Sequence, residues 1–425
     1  MDIEIFKDHL KSYLDSETIN KLIASFNEES NHSLIIDKHK FSYEKLTKYF
    51  KTLTKHHFID DIYYFNKNID ECGKSFLFDN GAYYIIDASS LLISHLLKVE
   101  DNTNILDLCS APGGKSISIT LKNRYKNLNI IANDLSFSRI KEMEKNIERL
   151  GLSNIILVNN DFEKVYKYYL NTFDYIILDA PCSGSGMFRK NNLVKEDWSI
   201  KKVNHFSSIQ SKLINIAYKM LKEGGTLVYS TCSYSYEENE KIILDFLKDH
   251  SDMELINLPH IQGEYRSSIL KGAIHLFPFL YKGEGFFLSF LKKKGDLKLN
   301  KKPAKVQYLF KIPITNQVKV KSKLYYNNNF LNLDKLNVIK YGLEVKTFLK
   351  ENEFIPSFHY AHFCSSKESI PLLDKEKDLY IHGDTFFKDT TKEGFQIVSY
   401  DDLNLGYVKI VNKEFKNHYP KGLRH

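Results

Sequence analysis

The chain has no run of eighteen apolar residues in its 425, so it holds no candidate transmembrane helix. No secretory signal opens it either: MDIEIFKDHL is charged and lacks an apolar core. Cysteine is scarce. Cys72, Cys109, Cys182, Cys232 and Cys364 are widely scattered and form no C-x-x-C pair. That spacing argues against zinc and against a disulfide framework, and for a reducing cytoplasm. His359, His362, His382 and His418 lack metal-ligand spacing and read as ordinary side chains, so no metal is expected. A net charge of +7 permits a polyanionic partner without demanding one. A hydrophobic fraction of 43% supports ordinary cores, and the length suggests two to four domains.

One stretch organises what is present. Asn104–Ser116, NILDLCSAPGGKS, is an apolar run that ends in a turn of Pro112, Gly113 and Gly114 before a helical pattern. Strand, glycine turn and helix together offer backbone N–H groups and a helix N-terminus to a ligand. A phosphate loop ending in Gly114-Lys115-Ser116 would need glycine where Cys109 stands, and no G-x-G-x-x-G follows a strand. A nucleoside cofactor without a pyrophosphate, such as S-adenosylmethionine, remains, beside the plainer reading of an ordinary strand–helix turn.

From Asn104 onward, apolar runs alternate with amphipathic segments at 20- to 30-residue spacing. The runs are ILDLC, NIIAND, NIILVNND, FDYIILDAPC and GTLVYSTC, with GFFLSFL last. This predicts an α/β fold with a parallel sheet covered on both faces. Ligands in such sheets lie beyond the carboxyl ends of the strands. Polar or reactive residues gather at those ends: Asp107, Asp134, Asp161, Asp179 to Cys182, and Thr231-Cys232. Asp134, about 20 residues past the glycine turn, suits the ribose hydroxyls of an adenosyl group. Asp161 suits an adenine amino group, or equally the cap of the helix after it.

Cys182 and Cys232 follow strand ends, where a thiol can act as a nucleophile. Two thiols, a carboxylate and a methyl donor match one reaction well. C5 of cytosine is too weak a nucleophile to take a methyl group unaided. Thiolate addition at C6 makes C5 enamine-like, and a carboxyl group at N3 steadies the charge in the ring. The C5 proton then leaves and the thiol is expelled. Asp179, Cys182 and Cys232 supply these roles, but the chemistry leaves open which thiol attacks.

GAYYIIDASS, LDLCSAPGGKS, NDLS, DAPCSGSGMF, the downstream DWS and glutamine, YSTCSYSYEENE and HLFPFLYKGEGFF together resemble the Nol/Nop/Sun family of RNA 5-methylcytosine methyltransferases, most of all its RsmF-type 16S rRNA branch. The resemblance implies a class I, Rossmann-like methyltransferase sheet of seven strands. It implies Cys232 of the TC dipeptide as nucleophile and Cys182 of the PC dipeptide as the assisting thiol. Asp179 would contact the cytosine, with Lys115 at the same pocket. S-adenosylmethionine would be held by Ala111, Pro112, Gly113, Gly114, Lys115, Ser116 and Ile117 with Asp134, Arg139, Asp161 and Asp179. The implied substrate is RNA, foremost 16S rRNA or the small ribosomal subunit. The alternatives are tRNA or 23S rRNA, and, from another class, an inactive RNA-binding assembly factor. Two departures stand out: SLIIDKHKFS (33–42) lacks the arginine of the family's Arg-Val-Asn segment, and Pro278-Phe279 replaces a Pro-His pair.

The expected organisation is a helical, RNA-contacting segment (1–75), the methyltransferase domain (76–295), an RsmF-type first C-terminal domain (300–365) and a PUA-like RNA-binding domain (366–425). Ser89 and Ser90 read as a helix cap, and the lysines from Lys292 to Lys305 as a solvated linker. The tail, GYVKIVNKEFKNHYPKGLRH, mixes basic and aromatic groups suited to phosphates and bases. A cytoplasmic monomer is expected.

Overall fold

The apolar runs after Asn102 become the parallel core of one sheet. Thr103–Asp107, Leu128–Asn133 and Ile155–Val158 are buried at every position, as strands covered on both faces must be. Phe173–Asp179 and Leu221–Thr231 complete the parallel set. Phe286–Lys293 then adds antiparallel to Leu221–Thr231. The computed structural model describes residues 2–299, 308–309, 312–313, 317–327, 331–350 and 353–424. Among these the central sheet has ten strands. Its order is Glu264–Tyr265, Ile274–Leu276, Phe286–Lys293, Leu221–Thr231, Phe173–Asp179, Thr103–Asp107, Leu128–Asn133, Ile155–Val158 and Val338–Lys340, and Met253–Ile256 also pairs with Phe286–Lys293. The chain runs outward both ways from Thr103–Asp107, so the carboxyl end of that strand opens on the crevice where such sheets bind ligands.

The α/β class I sheet expected from the sequence is therefore present, with ten strands where seven were expected. The additions are short, two to four residues each, and too brief to show a period. One of them, Val338–Lys340, comes from the region beyond residue 300 and pairs with Ile155–Val158.

The first 75 residues are not wholly helical. Two capped helices, Ile3–Leu10 and Ser16–Ser25, are followed by a four-stranded antiparallel sheet of His32–Ile36, Thr54–Lys55, Ile62–Phe65 and Tyr83–Ile85. Ile62–Phe65 is buried throughout, and its β-branched and aromatic residues favour a strand. Tyr83–Ile85 carries this sheet past residue 75. The two helices pack Phe6, Leu10, Leu22 and Phe26 against Phe188, Trp198 and Tyr234, beside the loops that carry the thiols.

Three smaller readings change. Ser89 caps nothing; its hydroxyl donates to the Glu284 carbonyl at 2.7 Å, and no side chain caps the helix Leu91–Leu96. Lys292 and Lys293 belong to a strand rather than a linker, and buried Lys293 donates to the Leu221 carbonyl at 3.1 Å. Lys294 donates to the Ser251 carbonyl at 2.8 Å, and residues 300–305 of that lysine run lie outside the described residues. The C-terminal five-stranded sheet is ordered Ile370–Pro371, Gly394–Tyr400, Leu403–Val411, Glu414–Asn417 and Phe386–Phe387. In the tail Tyr419 is buried and accepts from Arg424 at 3.1 Å, while Lys416 and Lys421 stay exposed.

Candidate active site

The site is assembled at the carboxyl ends of four neighbouring strands. After Asp107 the chain turns through Ala111–Gly114 into the helix Gly114–Lys122, whose N-terminus has no side-chain cap. Apart from the Ser116 N–H, which faces the Asp107 carboxylate, its first-turn N–H groups are open to a ligand. Gly113 adopts a φ of +105°, a conformation that glycine reaches without strain. Asp107 is fully buried; Ser116 donates to one carboxylate oxygen at 2.7 Å, and the other oxygen has no partner. Burial pushes its carboxyl up to about 7, against the bond from Ser116 and the charge of Lys115. The sequence places Asp107 at this strand end but gives it no part in the site; the structure buries it against Ser116 of the following helix.

Asp134, at the end of Leu128–Asn133, accepts from the Ala111 N–H at 3.2 Å and the Ser136 N–H at 2.9 Å. Arg139 lies 3.3 Å from the same carboxylate and also donates to the Ala111 carbonyl. The glycine turn and the second strand end are therefore tied together. An uncapped helix N-terminus, a glycine turn and a buried carboxylate 23 residues further on fit an adenosyl cofactor. Asp161 caps the short helix Phe162–Val165, accepting from Glu163 at 3.1 Å, and lies 3.3 Å from Lys164. Of the two readings of that residue, the structure shows the cap.

The thiols meet. Cys182 and Cys232 lie with their sulfurs 3.0 Å apart, one from the turn after Phe173–Asp179 and one from the end of Leu221–Thr231. The hydrogen bond to Cys232, and then burial, raise the Cys182 thiol well above the usual range. Asp179 stands beside them, accepting from Ser230 at 2.7 Å and paired with the Lys115 ammonium. Burial alone would lower Lys115, but Asp179 outweighs it and the lysine is raised. The Cys232 sulfur is among the groups that hold Lys115 charged. A cation is therefore in place to steady a thiolate or an anionic ring. Two thiols, a carboxylate and an ammonium thus cluster at the strand ends beside the glycine turn.

The loops carrying the thiols are locked to each other through their backbones. Gly186 donates to the Cys232 carbonyl at 2.8 Å and accepts from Gly285 at 3.0 Å. A Cβ on Gly186 would lie 2.4 Å from the Gly285 oxygen and 2.9 Å from the Cys232 oxygen, so no larger residue fits. Arg189 forms a buried pair with Glu284, which joins the DAPCSGSGMFRK loop to the closing GEGFF segment. Where 33–42 lacks the family's arginine, Arg124 supplies a guanidinium that pairs with buried Asp37 and donates to the Leu150 carbonyl at 3.2 Å.

This fold and this pocket define a class I methyltransferase with paired thiols. Comparison with known proteins agrees. Residues 94–310 match the family model described as 16S rRNA methyltransferase RsmB/F, and residues 367–425 match that of the methyltransferase RsmF PUA domain. Ribosomal RNA small subunit methyltransferase F of Shewanella piezotolerans is 32% identical over 378 residues, covering 81% of this chain and 79% of that protein. The protein of the same name from Escherichia coli O139:H28 is 37% identical over 218 residues, 50% of this chain and 45% of its own. A methyltransferase homolog protein from Pyrococcus horikoshii superposes with a TM-score of 0.59 at 26% identity, over 68% of this chain and 94% of that one. NSun6 from the same organism, solved with SFG, gives a TM-score of 0.61 over 68% and 98%; at 23% identity it speaks for the fold alone. The chain belongs to the 16S rRNA methyltransferase RsmB/F family. It is an S-adenosylmethionine-dependent RNA (cytosine-C5) methyltransferase.

Proposed function

We propose that this enzyme methylates C5 of a cytosine in 16S rRNA through a covalent adduct between Cys232 and C6 of the base. The observation that carries the reading is the 3.0 Å approach of two thiols beside the Lys115–Asp179 pair. In this reading Cys182 is the assisting thiol and Cys232 attacks. The Lys115 ammonium lies where it steadies the attacking sulfur, and Asp179 meets the base at its N3 edge, accepting from the neighbouring N4 amine. Addition at C6 turns C5 into a nucleophile. S-adenosylmethionine, when bound at the glycine turn, supplies the electrophilic methyl group. Water then takes the C5 proton as the C6–sulfur bond breaks, which restores the aromatic ring, and Cys182 and Lys115 meet the charge of the departing Cys232 thiolate.

Ala111 to Ile117, Asp134, Arg139 and Asp161 surround the cofactor in this reading, with Asp134 on the ribose. The target must leave its stack, because C6 is out of reach inside a helix. Exposed Lys416 and Lys421 of the PUA-like domain supply phosphate contacts, and the protein works as a cytoplasmic monomer. Among the described residues no helix is long and apolar enough to cross a membrane. The same name on the relatives, small subunit methyltransferase F, favours 16S rRNA over tRNA or 23S rRNA. Bisulfite sequencing of total RNA from a deletion strain tests the assignment. Loss of a protected 16S cytosine, restored by the intact gene and not by Cys232→Ala, is expected. An unchanged 16S profile with a lost signal in tRNA or 23S rRNA would overturn the substrate.

A further inference from the structure

Each catalytic-loop cysteine is followed by a serine, Ser183 after Cys182 and Ser233 after Cys232. Both serines end on one carboxylate. Glu238, fully buried, accepts from the Ser183 N–H at 2.8 Å, from the Ser183 hydroxyl at 2.5 Å and from the Ser233 hydroxyl. The Gln210 amide donates to it at 3.1 Å and also to the carbonyl of Pro181, the residue before Cys182, at 2.8 Å. All these partners are donors on neutral groups. The segment bearing Glu238 is itself pinned to the strand end. Tyr229 donates to the Glu238 carbonyl at 2.6 Å, and Asn239 accepts from Thr231 at 2.6 Å and donates to the Ser233 carbonyl at 2.8 Å.

Burial raises the Glu238 carboxyl, against four hydrogen bonds that hold it down. A carboxylate in such surroundings is a costly way to fill space, since a leucine or methionine would fill it without desolvating a charge. What the carboxylate adds is geometry. One oxygen, Oε2, accepts from the hydroxyls of both serines while Oε1 holds the Ser183 N–H and Gln210, which fixes the distance between two loops that are far apart in sequence.

We propose that Glu238 is a positioning residue that sets the approach of Cys182 to Cys232. The inference rests on both thiols serving the reaction, and it adds a residue that touches neither base nor cofactor. Glu238→Gln keeps the volume but turns an amide N–H₂ towards donors. Glu238→Asp keeps both acceptors on a shorter stem. Positioning therefore predicts that the Asp variant outperforms the Gln variant, whereas a packing role predicts the reverse.

The experiment has two readouts on the full-length enzyme. In steady-state methyl transfer, Glu238→Gln is expected to lower kcat about 100-fold, the scale of a misplacement near 1 Å, with KM for RNA unchanged. Glu238→Asp is expected to stay within about 10-fold of the unmodified enzyme on the same scale. The second readout is the pairing of the thiols themselves, with 5,5′-dithiobis(2-nitrobenzoate) as probe. One thiolate displaces thionitrobenzoate to give a mixed disulfide; the other thiolate then attacks it, forming the Cys182–Cys232 disulfide and releasing a second thionitrobenzoate. Peptide mass identifies that disulfide and separates it from reaction at Cys72, Cys109 or Cys364. Glu238→Gln is expected to slow the second release about 10-fold, because the effective concentration of one thiol at the other falls.

Native kcat in Glu238→Gln, or a lowered kcat with native second release, would overturn the proposal. So would a Gln variant more active than the Asp variant. If Glu238→Gln does not fold, Gln210→Ala, which removes one donor shared by Glu238 and Pro181, is expected to slow the second release in the same direction, and native release there counts against the proposal. The thiol readout involves no RNA. An active Cys232→Ala would therefore sink the catalytic scheme while leaving the clamp to be judged by itself.

Discussion

Gly186→Ala is the most confined perturbation of this site. The added methyl would sit 2.4 Å from the Gly285 oxygen, 2.8 Å from its carbonyl carbon and 2.9 Å from the Cys232 oxygen. All three are backbone atoms, so no side chain can swing aside. Overpacking of this kind costs about 1–3 kcal/mol. The substitution also strains two backbone hydrogen bonds through residue 186, one to Cys232 at 2.8 Å and one from Gly285 at 3.0 Å, worth about 1 kcal/mol each. The sum is about 3–5 kcal/mol, or a fall in Tm of about 6–20 °C for a domain of this size. Because one of the displaced groups is the Cys232 backbone, kcat is expected to fall about 100-fold as well. Differential scanning calorimetry and a methyl-transfer assay read the two effects. Gly422→Ala, which meets nothing within 4 Å, serves as the control and is expected to shift Tm by no more than about 2 °C. A Gly186→Ala protein with control-like Tm and full activity would refute the close-packed account of the two loops.

Two other perturbations address the cofactor side. Asp134→Ala is expected to weaken S-adenosylmethionine binding by roughly 1.5–3 kcal/mol, the scale of a lost charge-assisted hydrogen bond, with the fold retained; unchanged affinity by titration calorimetry would remove Asp134 from the site. Asp107, held at about 7 by burial, binds more protons folded than unfolded between pH 4 and 7, so its contribution to stability falls as pH rises through that window. Asp107→Asn is therefore expected to gain on the unmodified protein by roughly 2–4 kcal/mol from pH 4 to pH 8, and Tm curves that stay parallel across that range would contradict the burial of an ionisable carboxyl there.

The parallel core was legible because its signal is local and repeated. ILDL, IIAN and IILV are mostly apolar runs, and the strands they fall in, Thr103–Asp107, Leu128–Asn133 and Ile155–Val158, are buried along their whole length. The polar residues that close these runs were read as one crevice, and Lys115, Asp179, Cys182 and Cys232 do converge there. The four-stranded N-terminal sheet was not legible. Its strands are two to five residues long, and the helical period of YEKLTKYFKTL beside them dominated. Glu238 was invisible for another reason. Nothing in YSTCSYSYEENE separates its three glutamates; only the fold-back of the chain shows that one of them reaches Ser183 from 55 residues away. Ser89 is a similar case, since its partner Glu284 is 195 residues distant. Contacts of that span leave no periodic trace in a single sequence.

The central claim is the division of labour between the two thiols, and trapping the protein on its RNA tests it most directly. Cys232→Ala can form no adduct and is expected to be inactive. Cys182→Ala is expected to add to the base, transfer the methyl group and stall before elimination, leaving a protein–RNA species that survives denaturing electrophoresis and vanishes on ribonuclease treatment. The double variant is expected to trap nothing. An RNA-linked band from Cys232→Ala, with none from Cys182→Ala, would contradict the account and reverse the two roles.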